Sequence, residues 1–457
     1  MELTRTEILP GVWLNALRSE KFKTACLSLS LLTQLKRETA SINALIPYVL
    51  RRGTTRYPDM ETLSARMDEL YGTAVEPAVR RIGEVQCLGF YASIPEGDYL
   101  PGGRSVLHEA CELLGQMLLS PATRGGLLLP RYVESEKEKL LEAIRSRVND
   151  KRSYALFRCV EEMCCCEDFA VSRLGSEEAC ESINYKKLTK QYHSLLQQSP
   201  VEIFYCGRAS DRELIAALRD ALITLPRGEI DYEIGTDLRM NALEDQPRFL
   251  EEEMAVSQAK LVIGWRLGEC MEEPDQAALL VFNTVFGAGS SSKLFRSVRE
   301  KLQLCYYAGS LVDTHKGLLL VSSGIDADKL ESARDEILAQ LEAIKRCEIT
   351  EEELKAAKAG VASDLRAMTD SQGELEGFLL SQALDGLDYG PEELAALVED
   401  VSAGDVAAIA RSTECDMIYF LKPGAPEDSE GDEDPPLDTE ALEQILKENE
   451  EAEPDGE

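Results

Sequence analysis

The residues best suited to chemistry lie between Asn283 and Tyr307, in the stretch NTVFGAGSSSKLFRSVREKLQLCYY. The pattern predicts a helix that ends at a Gly-Ala-Gly-Ser-Ser-Ser turn, followed by a second helix and a strand. Arg299, Tyr306 and Tyr307 come after the turn. A guanidinium and a phenol can donate hydrogen bonds to a carbonyl oxygen, but these groups neither hold a metal ion nor attack a bond. The stretch therefore predicts a site that grips a substrate without the groups that would cut it.

Two common catalytic motifs do not fit the turn. A Walker loop has glycine directly before its lysine and Ser or Thr after it, whereas Lys293 lies between Ser292 and Leu294. The stretch contains no G-x-S-x-G, so it does not form a serine-hydrolase elbow. The three histidines are scattered along the chain, and each is interpreted as a surface or locally bonded side chain: His108, His193 and His315.

Composition excludes several classes of partner. The chain has 83 acidic and 49 basic residues, a formal charge of −34, so it would repel the phosphates of a nucleic acid. No apolar run is long enough to cross a bilayer, and the amino terminus lacks the pattern of a secretory signal. We expect a cytosolic protein that contacts neither nucleic acid nor membrane.

The thirteen cysteines agree with a cytosolic location, because their number is odd and no CxxC pair suggests a disulfide framework or a zinc site. Cys164, Cys165 and Cys166 are adjacent. Three consecutive helical residues point in different directions and do not converge easily on one ion, so we interpret them as small buried apolar side chains.

Length and internal repetition predict two homologous domains. Gly175-Ser176-Glu177-Glu178 matches Gly390-Pro391-Glu392-Glu393, and Ile203-Phe204-Tyr205 matches Ile418-Tyr419-Phe420, at one constant offset. The predicted fold class is α+β, with an amino-terminal domain over 1–225, a linker over 226–247 and a carboxy-terminal domain over 248–424. Residues 425–457 carry fifteen acidic residues and one lysine, and we expect them to be a disordered tail.

Apolar patterning predicts the individual elements. Residues 6–33 indicate two strands, 74–94 a strand pair, 254–266 one strand and 351–368 a helix. A further helix from about Ser41 to Arg52 is closed by Gly53 and Thr54.

The stretch from Asn283 to Tyr306 closely resembles the carboxy-terminal signature of the pitrilysin, insulinase and mitochondrial processing peptidase family. The matching residues include Asn283, Gly287, Gly289, Ser291, Ser292, Leu294, Phe295, Val298, Arg299, Glu300, Lys301, Leu304, Cys305 and Tyr306. Members of this family are inverzincins built from paired homologous α/β-sandwich domains that enclose a peptide chamber. The resemblance implies that this chain forms a clam-like half-chamber.

Active members carry His-x-x-Glu-His on a helix of the first domain, where two histidines bind zinc and the glutamate activates water. That helix ends in a Gly-Thr pair similar to Gly53-Thr54. Counting back from the pair places Ala44 and Tyr48 at the histidine positions and Pro47 at the position of the general base. The distal glutamate ligand falls at Ala143 or at Glu142, with Ala143 the preferred register. The motif is degenerate at all of its catalytic positions, so no metal is expected in this chain.

The resemblance also implies roles for the residues that remain. In the family, the arginine and tyrosine that match Arg299 and Tyr306 contact the substrate around the scissile bond. Tyr306 and Tyr307 are neighbours on a strand, so only one of them can face the chamber. The alternative for both residues is structural: Arg299 paired with a local carboxylate and Tyr306 half-buried in packing.

The stretches LIPYVLRRGT and NDKRSYALFRC narrow the resemblance to bacterial, non-catalytic members associated with aminopentanol modification of elongation factor P, which accompany an active homologue. The resemblance implies an inactive, peptide-binding subunit of a heterodimeric metallopeptidase. The partner would carry His-x-x-Glu-His and the zinc, an extended peptide would be the substrate, and a homodimer is allowed without the partner. The alternative is a stand-alone peptide-binding or scaffold protein without a role in proteolysis.

Overall fold

A computed structural model of the protein describes residues 3–272, 275–387 and 389–424. The acidic segment 425–457, predicted to be disordered, lies outside the described residues. The predicted linker, 226–247, contains neither helix nor strand, and the first strand of the second half begins at Arg248. The domain limits 1–225 and 248–424 stay predictions.

Thirteen strands occur in the described residues. Those of the first half are β1 (Leu3–Leu9), β2 (Val12–Arg18), β3 (Thr24–Gln34), β4 (Ala74–Ile82), β5 (Val85–Pro95), β6 (Thr123–Arg124), β7 (Leu127–Leu128) and β8 (Val201–Gly207). Those of the second half are β9 (Arg248–Met254), β10 (Ala259–Arg266), β11 (Cys305–Asp313), β12 (Leu318–Ile325) and β13 (Glu414–Pro423).

The α-helices cover the sheets. The first half contains α1 (Ala40–Leu50), α2 (Met60–Glu69), α3 (Leu107–Leu119), α4 (Pro130–Ser146), α5 (Lys151–Met163), α6 (Glu177–Glu181), α7 (Tyr185–Gln198) and α8 (Asp211–Leu222). The second half contains α9 (Gln276–Asn283), α10 (Leu330–Lys345), α11 (Glu351–Met368), α12 (Gln372–Asp385), α13 (Pro391–Val398) and α14 (Ala403–Ser412).

The two large sheets have equivalent topology. Their orders are β1-β2-β8-β3-β5-β4 and β11-β12-β10-β13-β9. In the first, β8 is parallel to β2 and antiparallel to β3; in the second, β13 is parallel to β9 and antiparallel to β10. The sequence offset pairs Ile203 with Ile418, which occupy these equivalent strands β8 and β13. The predicted α+β fold with two homologous domains is confirmed.

Each sheet packs against its own helices on one face and a helix of the other half on the opposite face. Leu156 and Met163 of α5 pack in one cluster with Leu320 and Tyr419 of the second sheet. In return, α12 packs on the first sheet through Leu375 and Leu379. Because both faces of the central strands are covered, β3 is buried continuously over residues 25–32, including Ser28 and Ser30.

A buried ion network joins the two halves. The Lys316 ammonium lies 2.5 Å from Glu84 Oε1 and 2.8 Å from Glu167 Oε2. Arg266 contacts Glu167 Oε1 at 2.7 Å and Asp416 Oδ2 at 3.0 Å. Glu84 and Glu167 come from the first half and the other three from the second, so mutual neutralisation of these buried charges fixes how the halves meet.

Two predictions gave too few strands. Residues 6–33 fall in three strands, because the chain turns at Pro10-Gly11 and Gly11 has the left-handed φ of 64° that glycine tolerates. The single strand predicted over 254–266 is the end of β9 and the whole of β10, separated by a short connection. The strand pair over 74–94 and the helix over 351–368 are confirmed.

Candidate functional site

The signature stretch forms a wound segment between α9 and β11. Helix α9 continues into a π-helical turn, Thr284–Ala288, and after the glycine-serine turn a second π-helical segment covers Leu294–Lys301. Such widened turns often occur at functional sites. The predicted apolar face is present, since Leu294 and Val298 are fully buried in the second core.

The glycines and serines of the turn serve close packing. A Cβ atom at Gly287 would lie 2.6 Å from the backbone nitrogen of Ser310 in β11, so only glycine fits there. Gly289 accepts a hydrogen bond through its carbonyl from the Ser292 backbone amide at 2.9 Å. Ser292 is buried, whereas Ser291 is half-buried. Gly287 therefore allows the first π-helical turn to lie close against β11.

The lysine of the turn has a local partner. Lys293 is buried and its ammonium lies 3.2 Å from the Glu353 carboxylate at the start of α11. A lysine neutralised in this way does not serve a phosphate, which agrees with the mismatch to a Walker loop.

Arg299 is half-exposed near the end of the second π-helical segment. Its guanidinium lies over the Phe295 ring, 4.9 Å from the ring centroid, and no ion pair joins it to a carboxylate in the described part of the chain. This geometry differs from the structural alternative, in which Arg299 would pair with a local carboxylate. The stacking holds the guanidinium in place while leaving its N–H donors free of a fixed anionic partner.

Tyr306 lies where β11, an edge strand, begins. The register between β11 and β12 shifts between Cys305 and Tyr307, and this bulge turns Tyr306 outward, with 53% of its surface exposed. Its hydroxyl donates to Asp326 Oδ1 at 2.9 Å, and this hydrogen bond and the charge of Asp326 raise the pKa of Tyr306. The phenol is therefore protonated at neutral pH and is a hydrogen-bond donor.

Tyr307 has the opposite environment. It is buried, with the Arg152 guanidinium 4.4 Å from its ring centroid. Of the two adjacent tyrosines, Tyr306 is therefore the one that solvent and a ligand can reach. The second π-helical segment, which carries Arg299, packs against β11, the strand in which Tyr306 lies.

The positions that match the zinc motif belong to a packed apolar region. Ala44 and Pro47 are buried in α1, and Tyr48 packs against the first core, where burial raises its pKa. Ala143, on α4, packs against the same core. Methyl, pyrrolidine and phenol groups provide no zinc ligand set, so these residues do not fit a catalytic zinc ion. Glu142, in the alternative register, is exposed. Throughout the described ranges, no group of three or more His, Cys, Asp or Glu side chains could hold a metal ion.

The histidines have local partners, as predicted. His108 lies 3.4 Å from Asp220, and the His193 ring lies 4.9 Å from the Tyr192 ring, tilted at 46° to it. His315 joins Asp385 and Ser381 of α12, at 2.8 Å each, a grouping that sequence separation concealed. Although the order resembles a hydrolase triad, Ser381 lies inside a helix whose amides are committed to helical hydrogen bonds and cannot form an oxyanion hole. The contacts tie the β11–β12 turn to α12.

The cysteine interpretation was right for Cys164 and wrong for the other two. Helix α5 ends at Met163, so Cys165 and Cys166 lie in a turn, exposed, with their sulfurs 3.8 Å apart. The helical geometry assumed for all three residues does not apply, because Cys164 also lies beyond the end of the helix. None of the thirteen cysteines, all of them within the described residues, forms a disulfide.

No helix in the described ranges has the length and hydropathy needed to cross a bilayer.

Comparison with known proteins gives consistent matches. The family model described as Peptidase M16 inactive domain matches residues 182–361. The chain is 32% identical over 413 residues to the probable inactive metalloprotease YmfF of Bacillus subtilis, a match that covers 90% of this chain and 96% of that protein.

Solved structures agree. A conserved protein from Enterococcus faecalis superimposes with a TM-score of 0.83 at 27% identity, over 93% of this chain and 100% of that chain. A peptidase M16 inactive domain from Pseudomonas fluorescens superimposes with a TM-score of 0.75 at 16% identity, over 94% of this chain and 100% of that chain. The second similarity concerns the fold alone.

Proposed function

Since this chain belongs to the M16 family of metallopeptidases and their inactive homologues, we propose that it is a catalytically inactive, peptide-binding subunit of a two-chain zinc metallopeptidase. The observation that carries the proposal is a contrast between two sites. The positions of the zinc motif hold Ala44, Pro47, Tyr48 and Ala143, whereas Arg299 and Tyr306 are accessible donors on an edge of the second sheet. Half of an active site is retained and the other half is absent.

In the proposed complex a homologous subunit supplies His-x-x-Glu-His with its zinc, and this chain supplies hydrogen-bond donors. Arg299 and Tyr306 would donate to a peptide carbonyl oxygen and stabilise the negative charge that develops on it. A guanidinium held by stacking on Phe295 and a protonated phenol are suited to that role. Neither group needs to gain or lose a proton.

The peptide is proposed to bind in an extended form along a sheet edge. Strand β11 is an edge strand, so its outer backbone groups can pair with an added strand that starts beside Tyr306. The charge of −34 would favour peptides with basic residues. The free thiols support the expected cytosolic setting.

The second candidate is a stand-alone peptide-binding or scaffold protein. It is favoured by the hydrogen bond between Tyr306 and Asp326, which satisfies the tyrosine without any second subunit. On this alternative the chain would bind peptides alone and would have no effect on the activity of a homologue.

The experiment mixes the chain with a His-x-x-Glu-His homologue from the same genome and measures the masses of the species together with cleavage of a basic peptide. We expect a heterodimer, and cleavage that rises with added chain until the two are equimolar. A homologue that is fully active alone, or no complex at micromolar concentrations, would overturn the proposal in favour of the scaffold. Zinc analysis of the isolated chain is the control, and a stoichiometric content would contradict the assignment of the degenerate motif.

A further inference from the structure

A cavity of about 710 Å³ lies among the end of α4, helix α5 and the segment around α6. This volume is within the range of ligand pockets. Ile144, in its wall, directly follows the degenerate position Ala143. None of the degenerate positions Ala44, Pro47, Tyr48 and Ala143 lines the cavity itself.

Arg147 provides a desolvated cation in the cavity wall. Its guanidinium lies 4.1 Å from the centroid of the Phe157 ring and donates to the Ser172 hydroxyl. Burial lowers the pKa of Arg147, although the charge of Glu161 opposes this. No carboxylate of the described residues forms an ion pair with it. The stacking orients a charge that has no fixed anionic partner.

Arg37 lines the same cavity and likewise has no ion pair within the ranges that the structure describes. Arg145, also in the wall, differs because it is bound to Glu177 at 2.8 Å and to Glu181 at 3.5 Å. In a chain with 83 acidic residues, two arginines without carboxylate partners at one cavity indicate a site for an external anion. Guanidinium groups bind a carboxylate through paired hydrogen bonds.

The remaining wall limits what the anion can be. Ile144, Val148 and Phe157 provide apolar surface, and the wall also holds four carboxylates. Glu177 and Glu181 contact Arg145 and Glu161 contacts Arg158, whereas Glu178 forms no ion pair with any described residue. A bare phosphate would leave the apolar wall unused and would face Glu178. A peptide end fits better, because it combines a carboxylate, apolar side chains and room for a basic side chain.

We propose that this cavity binds the carboxyl terminus of a peptide, with the terminal carboxylate held by Arg37 and Arg147. A basic side chain near that terminus faces Glu178, and the last residue packs on Ile144 and Val148. The inference rests on the proposed peptide-binding function and adds the place where the peptide ends.

The test measures fluorescence anisotropy of the full chain with labelled Gly-Ser-Gly-Leu-Lys-Phe as the free acid and as the carboxamide. A third probe is the carboxamide of Gly-Ser-Glu-Leu-Lys-Phe, which places a carboxylate on a side chain. Charge-assisted hydrogen bonds to the half-buried Arg147 and to Arg37 predict that the free acid binds roughly tenfold tighter than either amide. Equal affinity for the acid and its amide would overturn the inference, and tight binding of the third probe alone would reassign the site to acidic side chains.

The variants Arg147→Gln and Arg37→Gln are expected to remove most of the preference for the acid. Arg212→Gln, an exposed arginine on α8, has the same change in net charge and should retain it. Arg37 is exposed, so Arg37→Gln should fold normally. It therefore tests the inference even if Arg147→Gln loses the contact with Phe157 and fails to fold. An unchanged preference in Arg37→Gln and in folded Arg147→Gln would contradict the inference.

This binding assay contains no partner subunit, so its outcome is independent of whether a heterodimer forms. A complex that cleaves peptides without preference for the free acid would overturn the cavity assignment alone. A clear preference in a chain that never assembles with a homologue would overturn the heterodimer alone.

Discussion

The Tyr306 hydroxyl donates to Asp326 Oδ1 at 2.9 Å while more than half of the tyrosine surface is exposed. Asp326 also contacts the Lys329 ammonium at 2.8 Å. The donor that we assign to a peptide carbonyl is therefore oriented by a carboxylate in the isolated chain. Substrate must replace that carboxylate, which makes Asp326 a competitor of the substrate and a positioning residue for the tyrosine.

Asp326→Ala should free the hydroxyl of Tyr306 and lower its pKa toward the ordinary tyrosine value of about 10. The measurement is the ultraviolet titration of tyrosinate, with Tyr306→Phe subtracted to isolate this residue. Asp326→Asn keeps a hydrogen-bond acceptor without the charge and should give an intermediate pKa. An unchanged titration in Asp326→Ala would show that the contact does not persist in solution.

The network at the junction of the halves predicts how stability depends on pH. Burial would raise the pKa of Glu167, but hydrogen bonds and charges from Arg266 and Lys316 outweigh it and lower that pKa. A lowered folded-state pKa stabilises the protein above the unfolded value of about 4.3. This contribution is lost as the pH falls through the folded-state pKa.

Glu167→Gln should therefore reduce the free energy of unfolding by about 3–5 kcal/mol at pH 7, since it leaves Arg266 and Lys316 buried with less compensation. Denaturant unfolding at pH 7 and near pH 3 checks this, because the difference from the unmodified protein should shrink at the lower pH. Glu178→Gln, at an exposed position, is the control and should change little. A difference that grows below pH 4 would contradict the assignment.

Two glycines in different surroundings predict opposite effects of substitution by alanine: Gly287 packs closely against β11, and Gly360 lies in α11 with open space around it. Gly287→Ala places a methyl group 2.6 Å from the Ser310 nitrogen and should destabilise the protein by about 1–3 kcal/mol. Gly360→Ala, in α11, meets nothing within 4 Å and should stabilise it by about 0.5–1 kcal/mol. Thermal unfolding of both variants is the measurement, and a neutral Gly287→Ala would refute the close approach.

The exposed turn after α5 predicts which thiols react. Cys165, Cys166 and Cys347 are exposed, whereas burial raises the pKa of Cys111 and of Cys164 to about 12. A thiol reagent should therefore label these three residues rapidly in the native protein, and the others more slowly or after unfolding. Mass spectrometry of peptides after a short pulse identifies the labelled sites. Rapid labelling of Cys111 would contradict the packing of α3.

Local sequence patterns predicted much of the fold, because repetition and apolar periodicity act over short distances. The matched segments fell on β8 and β13, and the signature stretch formed the expected turn. The exchange of α5 and α12 between the sheets could not be predicted, since it depends on contacts between residues far apart in the chain. The same holds for the contact of Lys316 with Glu84 and for the presence of Arg37 and Arg147 in the wall of one cavity.

For the site residues, too, the sequence predicted what depends on residue type, and the structure was needed for what depends on position. The sequence could not show which of Tyr306 and Tyr307 faces solvent, because neighbouring residues on a strand point to opposite faces. In the structure, next to the bulge after Cys305, Tyr306 is exposed and Tyr307 is buried. Ala44, Pro47, Tyr48 and Ala143 needed no structure to be recognised as unsuitable zinc ligands. The structure shows that they pack in one apolar region, so substituting them by zinc ligands would place polar groups in a core.

The most direct test of the central claim is the turnover number of the reconstituted heterodimer with Arg299→Ala or Tyr306→Phe in this chain. Loss of one donor to a developing oxyanion should lower turnover by about a hundredfold or more, with assembly unchanged. Tyr99→Phe and Arg212→Ala, at exposed positions outside the site, are the matched controls and should have full activity. Unchanged turnover in both site variants, within an intact and partner-dependent complex, would contradict the account.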